Sequence, residues 1–436
     1  MKKVTVIGLG YVGLSLSVFL GTKSNVIGID SSNEKIKTLR KGIPYFYEQD
    51  LEDYLRKAMR NGLQFSQEIT KESLDRDFIF ITVGTPISES GNIDLNNIKK
   101  VAQIIAENIK DVKTRPSIII KSTVIPGTTL DVVKPILEKN GLRDGVHFDL
   151  LTNPEFLKEG TAIHDTIFPH VTVIGGSSNY AIKKLTVFYS SIYPKNHKII
   201  QTNNVTAEVI KYAANSFLAA RISLINSLAN ICQRLPGTNV DKVAEVIGMD
   251  SRIGTQFLKA GPGYGGSCFP KDLQALISFA NSIGYNPVLL DAIKSTNTNQ
   301  VFAVMDLIKT GLGRLQGKRI TILGLSFKEN TDDIRESVSI SLIRLLLKQK
   351  CRIIVHDPKA IENTRKIFGD KIRYYNTARD GLKNSDCVII MTPWEEYKKL
   401  GQKDFQMMRR PLIIDTRRIV KINDKKINYI GLGVGT

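Results

Sequence analysis

Two kinds of apolar pattern run along this chain. In the first 200 residues, runs such as "KKVTVIGLG", "DFIFITVGTP" and "SIIIKSTVIPGTT" are apolar at consecutive positions and end in Gly, Thr or Ser. Strands of that kind are buried on both faces, as in a parallel sheet covered by helices. From residue 206 the period changes: in "TAEVIKYAANSFLAARISLINSLANICQRL", Val209, Ala213, Phe217, Ala220 and Leu224 recur at helical spacing, which predicts one helix of about eight turns. The strand pattern then returns in "KRITILGLSFKENTDD", "RIIVHDP", "DCVIIMTPW" and "PLIIDTR", in the order of the first set. The chain therefore reads as α/β, with boundaries near 200 and 305: segments 1–200, 201–305 and 306–436.

The first strand runs into Gly8, Gly10 and Gly13, with Tyr11 and Val12 between the last two. This is G-x-G-x-x-G spacing at a strand-to-helix turn: Gly8 for the turn, Gly10 for approach of a pyrophosphate to backbone N–H groups, Gly13 for close packing. Asp30 closes the next strand, where a carboxylate accepts from ribose hydroxyls and repels a 2′-phosphate, favouring NAD over NADP. The expected architecture is two Rossmann-like, doubly wound parallel-sheet domains joined by a central helical segment. In the second copy Gly324 stands without its companion glycines and Lys328 occupies the turn, so a dinucleotide is not expected there.

With 436 residues the chain has room for two or three cores, and 42% hydrophobic against 24% charged residues is a globular composition. No apolar run reaches the roughly 18 residues of a membrane-spanning helix, and the N-terminus lacks a signal-peptide pattern, so a cytoplasmic location is expected. Lys and Arg number 61 against 42 Asp and Glu, a formal charge of +19. That excess favours anionic partners, either nucleic acid or small phosphorylated ligands, or is a generally basic surface; the lysines are scattered and no nucleic-acid module signature is present. Cys232, Cys268, Cys351 and Cys387 are far apart, which argues against a zinc site and a disulfide framework. No metal is expected.

Cys268 sits in "GPGYGGSCFPKD", just ahead of a predicted helix with Pro270 in its first turn. The partial positive charge of the helix start, with Lys271 nearby in sequence, favours a thiolate. The surrounding glycines read as a cradle that brings main chain close to a bulky, polar substrate. Lys211 and Asn215, four residues apart on the long helix, share one face. Glu155 in "LLTNPEFLKEG" follows a strand and an Asn-Pro turn, a place for a general base.

Together these segments resemble the nucleotide-sugar dehydrogenases: "GLGYVG", "KSTVIPGT", "NPEFLKEG", "KYAANSF", "MDSRIG", "GPGYGGSCFPKD" and "LSFKENTDDIRES" fall in that family's order over essentially the whole length. The resemblance implies an NAD domain, a helical dimerisation segment and a UDP domain around one cleft, a homodimer, and two successive oxidations of a sugar C6 alcohol to a carboxylate. It makes Cys268 the nucleophile, Lys211 and Asp272 partners in proton transfer, Asn215 an oxyanion contact, Thr123 a water holder and Glu155 the base for hydrolysis. It adds Lys35, Thr85, Ser122, Glu159, Lys271 and Arg335 to the cofactor residues. To the sugar nucleotide it assigns Glu155, Phe156, Leu157, Lys158, Lys211, Asn215, Lys259, Gly261, Tyr264, Gly265, Phe327, Lys328 and Arg417, with Arg252 from a partner subunit. Ser267 and Lys271 stand where branches acting on 2-acetamido hexoses usually carry His and a non-lysine residue, which favours the glucose branch over GDP-mannose. Two other readings stay open: a single-oxidation dehydrogenase of the 3-hydroxyacid type, which needs no cysteine, and a basic nucleic-acid-binding module.

Overall fold

The runs of consecutive apolar residues are strands, and their alternate side chains feed two different cores. Val4, Val6, Phe78, Phe80 and Ile119 pack on one side of the first sheet, and Ile7, Ile79, Ile81, Ile118 and Ile120 on the other. Burial on both faces is why these strands show no polar alternation. A computed structural model describes residues 1–88 and 91–435, in two compact units, Met1–Ala214 and Asn215–Thr436.

In the first unit, β1 (Lys3–Ile7), β2 (Asn25–Ile29), β3 (Gln64–Ser66), β4 (Phe78–Ile81), β5 (Ser117–Ile120), β6 (Asp149–Thr152), β7 (Thr172–Gly176) and β8 (Ile199–Thr202) form one sheet. Its order is β3-β2-β1-β4-β5-β6-β7-β8. The first six strands have the doubly wound order, with the reversal between β1 and β4 where such sheets open a ligand crevice. The one departure from a purely parallel sheet is the antiparallel pair β6 and β7.

In the second unit, β9 (Arg319–Leu323), β10 (Arg352–His356), β11 (Arg373–Tyr374), β12 (Cys387–Ile390), β13 (Leu412–Asp415) and β14 (Asn428–Gly431) repeat that order as β11-β10-β9-β12-β13-β14. Every neighbouring pair is parallel. Helices Phe269–Ser282 and Val288–Leu312 precede this sheet. The long helix runs from Asn204 to Cys232, and the division into units falls within it. No helix among the described residues is long and apolar enough to cross a membrane.

Candidate active site

The glycine turn of the first unit separates the three glycine roles. Gly8 has φ +96°, and a Cβ there would sit 2.8 Å from the Val83 backbone; at Gly13 it would meet the Gly8 carbonyl oxygen at 1.8 Å. Gly10, by contrast, has open space around it. It is the N-cap of the helix Tyr11–Gly21 and makes no side-chain capping hydrogen bond, so the helix start and the clearance needed by a pyrophosphate coincide. The Tyr11 and Phe46 rings lie 4.0 Å apart, tilted by 34°. Asp30 is held at the turn by the N–H of Leu9 at 2.9 Å and of Ser32 at 3.0 Å, and pairs with Lys35 at 3.1 Å. The geometry of these residues fits a dinucleotide. Thr85 donates to the Thr123 carbonyl at 2.8 Å and Ser122 to the Val83 carbonyl at 2.7 Å, stapling the ends of β4 and β5 while their oxygens can still accept.

After β6 the Asn153-Pro154 turn delivers Glu155, buried, with Oε1 2.9 Å from Lys211 Nζ, itself buried. Its other oxygen accepts the Leu157 N–H at 2.5 Å. Burial alone would raise this carboxyl, but the Lys211 charge and these hydrogen bonds more than reverse it and hold it below the usual glutamate range. The Lys211 ammonium also faces the Phe156 ring at 5.6 Å. Lys158 is exposed, its N–H bound to Asp165 at 3.0 Å, and Glu159 follows it half-buried.

In the second unit Cys268 is the N-cap residue of Phe269–Ser282, half-buried, with Sγ 3.5 Å from Ser267 Oγ and Pro270 in the first turn. The other three cysteines are buried, and burial pushes the Cys351 thiol up to about 11 and raises Cys387 further. One turn on, Asp272 is fully buried and is approached from two sides: Lys271 Nζ pairs with Oδ1, and Asn215 Nδ2 donates to Oδ2 at 2.6 Å. Asn215 stands one turn after Lys211 on the long helix.

The glycines before Cys268 owe their presence to close packing within the unit. A Cβ on Gly265 would lie 2.3 Å from the Glu336 carbonyl oxygen, on Gly266 2.8 Å from the Phe327 ring, and on Gly261 2.5 Å from an Arg417 nitrogen. The side-chain directions of these glycines are thus taken by Arg417, the Glu336 carbonyl and Phe327. Arg417 is half-buried, donates from Nε to the Met391 carbonyl at 2.8 Å, and desolvation lowers it to about 10. Lys328 lies 6.0 Å from the Phe327 ring. Tyr264 is buried, whereas Lys259 and Arg335 are exposed, the latter paired with Asp333. Arg252 stands apart in an exposed turn, paired with Asp250.

The second glycine turn is also tied to a strand-end carboxylate. Asp357, in the place that Asp30 holds in the first copy, accepts from the N–H of Leu325 at 2.7 Å and Ser326 at 3.1 Å and from the Trp394 indole at 3.2 Å. Its other oxygen takes the N–H groups of Lys359 and Ala360, both at 2.8 Å.

Sequence reasoning missed the residues that pin these loops. Asn297 holds Tyr264 at both its N–H (2.8 Å) and its carbonyl (2.9 Å), Asn226 takes the Gly261 N–H at 2.8 Å, and Gln300 donates to the Gly261 carbonyl at 2.9 Å. In the first unit the buried Glu48 accepts from Gly160 at 2.8 Å and Ala162 at 2.7 Å, fixing the segment after Glu155. For Asn297 and Gln300 the polar cluster "STNTNQ" within the helix Val288–Leu312 was the available signal.

The family's NAD binding domain matches residues 2–193, its central domain 205–299 and its UDP binding domain 321–422, each described under UDP-glucose/GDP-mannose dehydrogenase. UDP-glucose 6-dehydrogenase TuaD of Bacillus subtilis is 38% identical over 439 residues, covering 100% of this chain and 93% of that protein. UDP-glucose 6-dehydrogenase AglM of Haloferax volcanii is 39% identical, covering 96% and 97%. The solved structure of a UDP-glucose dehydrogenase from Pyrobaculum islandicum superposes with TM-score 0.92 at 34% identity, covering 100% of this chain and 98% of that one. The first unit thus carries an NAD-binding domain and the molecule is an oxidoreductase of nucleotide sugars. Matched in all three segments and by full-length relatives, the chain belongs to the UDP-glucose/GDP-mannose dehydrogenase family.

Proposed function

We propose that this protein oxidises UDP-glucose to UDP-glucuronate in four-electron turnover, with Cys268 as the covalent nucleophile. The observation that carries the reading is the thiol at the head of Phe269–Ser282 with Asp272, one turn below it, bound to Asn215 and Lys271. The full-length relatives named UDP-glucose 6-dehydrogenase support the choice of sugar nucleotide.

NAD, held by the Gly8–Gly13 turn and Asp30, supplies the hydride acceptor in both oxidations. In the first, the C6 hydroxyl proton leaves through water held by Lys211, Asp272 and Thr123, and C6 becomes an aldehyde carbon. The Cys268 thiolate adds to that carbon, and the Lys211 ammonium and Asn215 amide stabilise the resulting oxyanion. Loss of the second hydride from this thiohemiacetal leaves a thioester. Glu155 then takes a proton from water as its oxygen attacks the acyl carbon, and the thiolate departs, leaving the carboxylate.

Arg417, Lys328, Lys259 and the 261–265 loop are assigned to the nucleotide diphosphate and sugar, charged donors suited to phosphate oxygens. The exposed apolar side chains Phe217 (66%), Leu224 (60%) and Ile231 (55%) repeat every seventh residue on the long helix. We assign that stripe to a homodimer contact, to which Arg252 of a second copy would bring a further cation. A reduced catalytic thiol suits a cytoplasmic location.

The test is a panel of UDP- and GDP-sugars assayed for NADH. UDP-glucose should give a ratio of NADH to sugar near two; a ratio of one would leave the single-oxidation reading, and preference for GDP-mannose or a UDP-N-acetylhexosamine would move the substrate. NAD should outperform NADP because a carboxylate at Asp30 would repel a 2′-phosphate; the reverse preference would reject that role. RNA binding at physiological salt without NAD reduction would favour the nucleic-acid reading.

A further inference from the structure

Beside the Glu155–Lys211 pair stands a second lysine that none of these roles uses. Lys121 follows the last residue of β5, and its Nζ donates to Asn153 Oδ1 at 3.0 Å. Asn153 is locked in turn: its Nδ2 donates to the Val173 carbonyl at 2.7 Å, the Tyr189 hydroxyl donates to its Oδ1 at 2.5 Å, and its N–H reaches the Ile120 carbonyl at 2.8 Å. The ammonium is thus anchored to the residue two before Glu155, with Glu155 and Lys211 both near enough to act on it electrostatically. Lys121, Asn153 and Glu155 line one cavity of about 160 Å³. Lys158, Asp165, His170, Tyr189 and Tyr193 are the other titratable groups around it.

We propose that Lys121 is a positioning residue for Glu155, a second anchored cation that with Lys211 keeps the carboxylate ionised for the attack of water on the acyl-enzyme. The proposal rests on the assignment of Glu155 as the base. A lysine kept only to hold Asn153 would need no charge, since an amide or hydroxyl donor would serve. Burial and the neighbouring Lys211 pull Lys121 down while Glu155 pushes it up, leaving it at about 8. Its charge is therefore present below that pH and lost above it, and with it part of the field that keeps Glu155 below its ordinary value.

The experiment is single-turnover release of acid from the acyl-enzyme as a function of pH, followed by quenching and intact mass, in the native enzyme, K121M, K121R and E155Q. In K121M the acid limb should move up by roughly one pH unit and the ionisation near pH 8 should vanish; K121R should keep the native acid limb. Coincident native and K121M profiles would overturn the proposal. So would an equal slowing of the first NADH-forming step and of acyl release in K121M with no movement of the limb, the signature of a purely structural lysine. If E155Q releases acid at the native rate, the base assignment itself falls and this proposal with it. If E155Q is slow while K121M keeps the native limb, the proposal alone falls.

Discussion

The amide nitrogen of Asn215 lies 2.6 Å from a carboxylate oxygen of Asp272, across 57 residues of sequence. Neither group is neutral filler: Asp272 is fully buried and its other oxygen belongs to Lys271. Truncating Asn215 to Ala removes a donor to the carboxylate as well as the assigned oxyanion contact. Acid formation in N215A should fall by about 10²–10³-fold, the usual effect of losing one oxyanion donor, measured as steady-state NADH production. A loss under threefold would reject the role.

Replacing the half-buried Cys268 by serine changes one atom and should leave the fold within about 0.5 kcal/mol. C268S should stop at or before the aldehyde. Mass spectrometry should find an acyl adduct on the native protein under trapping conditions and none on the variant. Four-electron turnover by C268S would remove the nucleophile from the mechanism.

Two glycines make opposite predictions. Gly265→Ala drives a Cβ to 2.3 Å from the Glu336 carbonyl and should cost about 1–3 kcal/mol in denaturant melts through overpacking. Gly10→Ala meets open space at a φ of −69°, so the melt should be unchanged while KM for NAD rises about tenfold, the equivalent of about 1.4 kcal/mol. A destabilised G10A with native NAD affinity would overturn the division of roles.

The Glu155–Lys211 pair predicts an acid dependence of stability. Glu155 titrates below its ordinary 4.5 in the folded chain, so its stabilisation is complete above that value and is lost as pH falls through the lower folded value. E155Q strands a buried ammonium and should cost about 3–5 kcal/mol at neutral pH, with the difference from native shrinking in acid. Urea melts at neutral pH and in acid would show it; a gap independent of pH would refute the pairing.

The exposed stripe predicts assembly. Replacing Phe217 and Leu224 by Glu should halve the mass seen in sedimentation while leaving the secondary structure intact. A native protein that sediments as a monomer would remove the dimer.

The sequence carried those parts of the molecule that depend on local pattern. Gly8, Gly10 and Asp30 mark a turn whose chemistry lies within 30 residues, and the repeated strand syllables announced the second sheet. The stripe chosen to define the long helix proved instructive. Val209, Phe217 and Leu224 are exposed, while the buried face is Ala207, Tyr212, Ala219, Ile225 and Ala229, because small residues let packed elements approach as closely as large ones fill space. The Gly261–Gly266 loop reads in the sequence as a cradle for substrate; what the sequence does not show is that Arg417, Glu336 and Phe327 crowd the Cβ positions of Gly261, Gly265 and Gly266. Those contacts span about 60 to 160 residues of sequence, which no spacing rule reaches. Asn297, Gln300 and Glu48 escaped for the same reason: each looks like a solvated polar side chain until its backbone partner is known.

The uninterrupted Asn204–Cys232 helix has a consequence for how this chain can vary. One extra residue between Lys211 and Asn215 would swing the asparagine by about 100° around the axis, away from Asp272 or away from the lysine's face. On the proposed roles of Lys211 and Asn215, surface loops can lengthen or shorten, yet this three-residue interval should admit neither insertion nor deletion. Any natural or engineered variant that alters its length should lose acid production even if it folds.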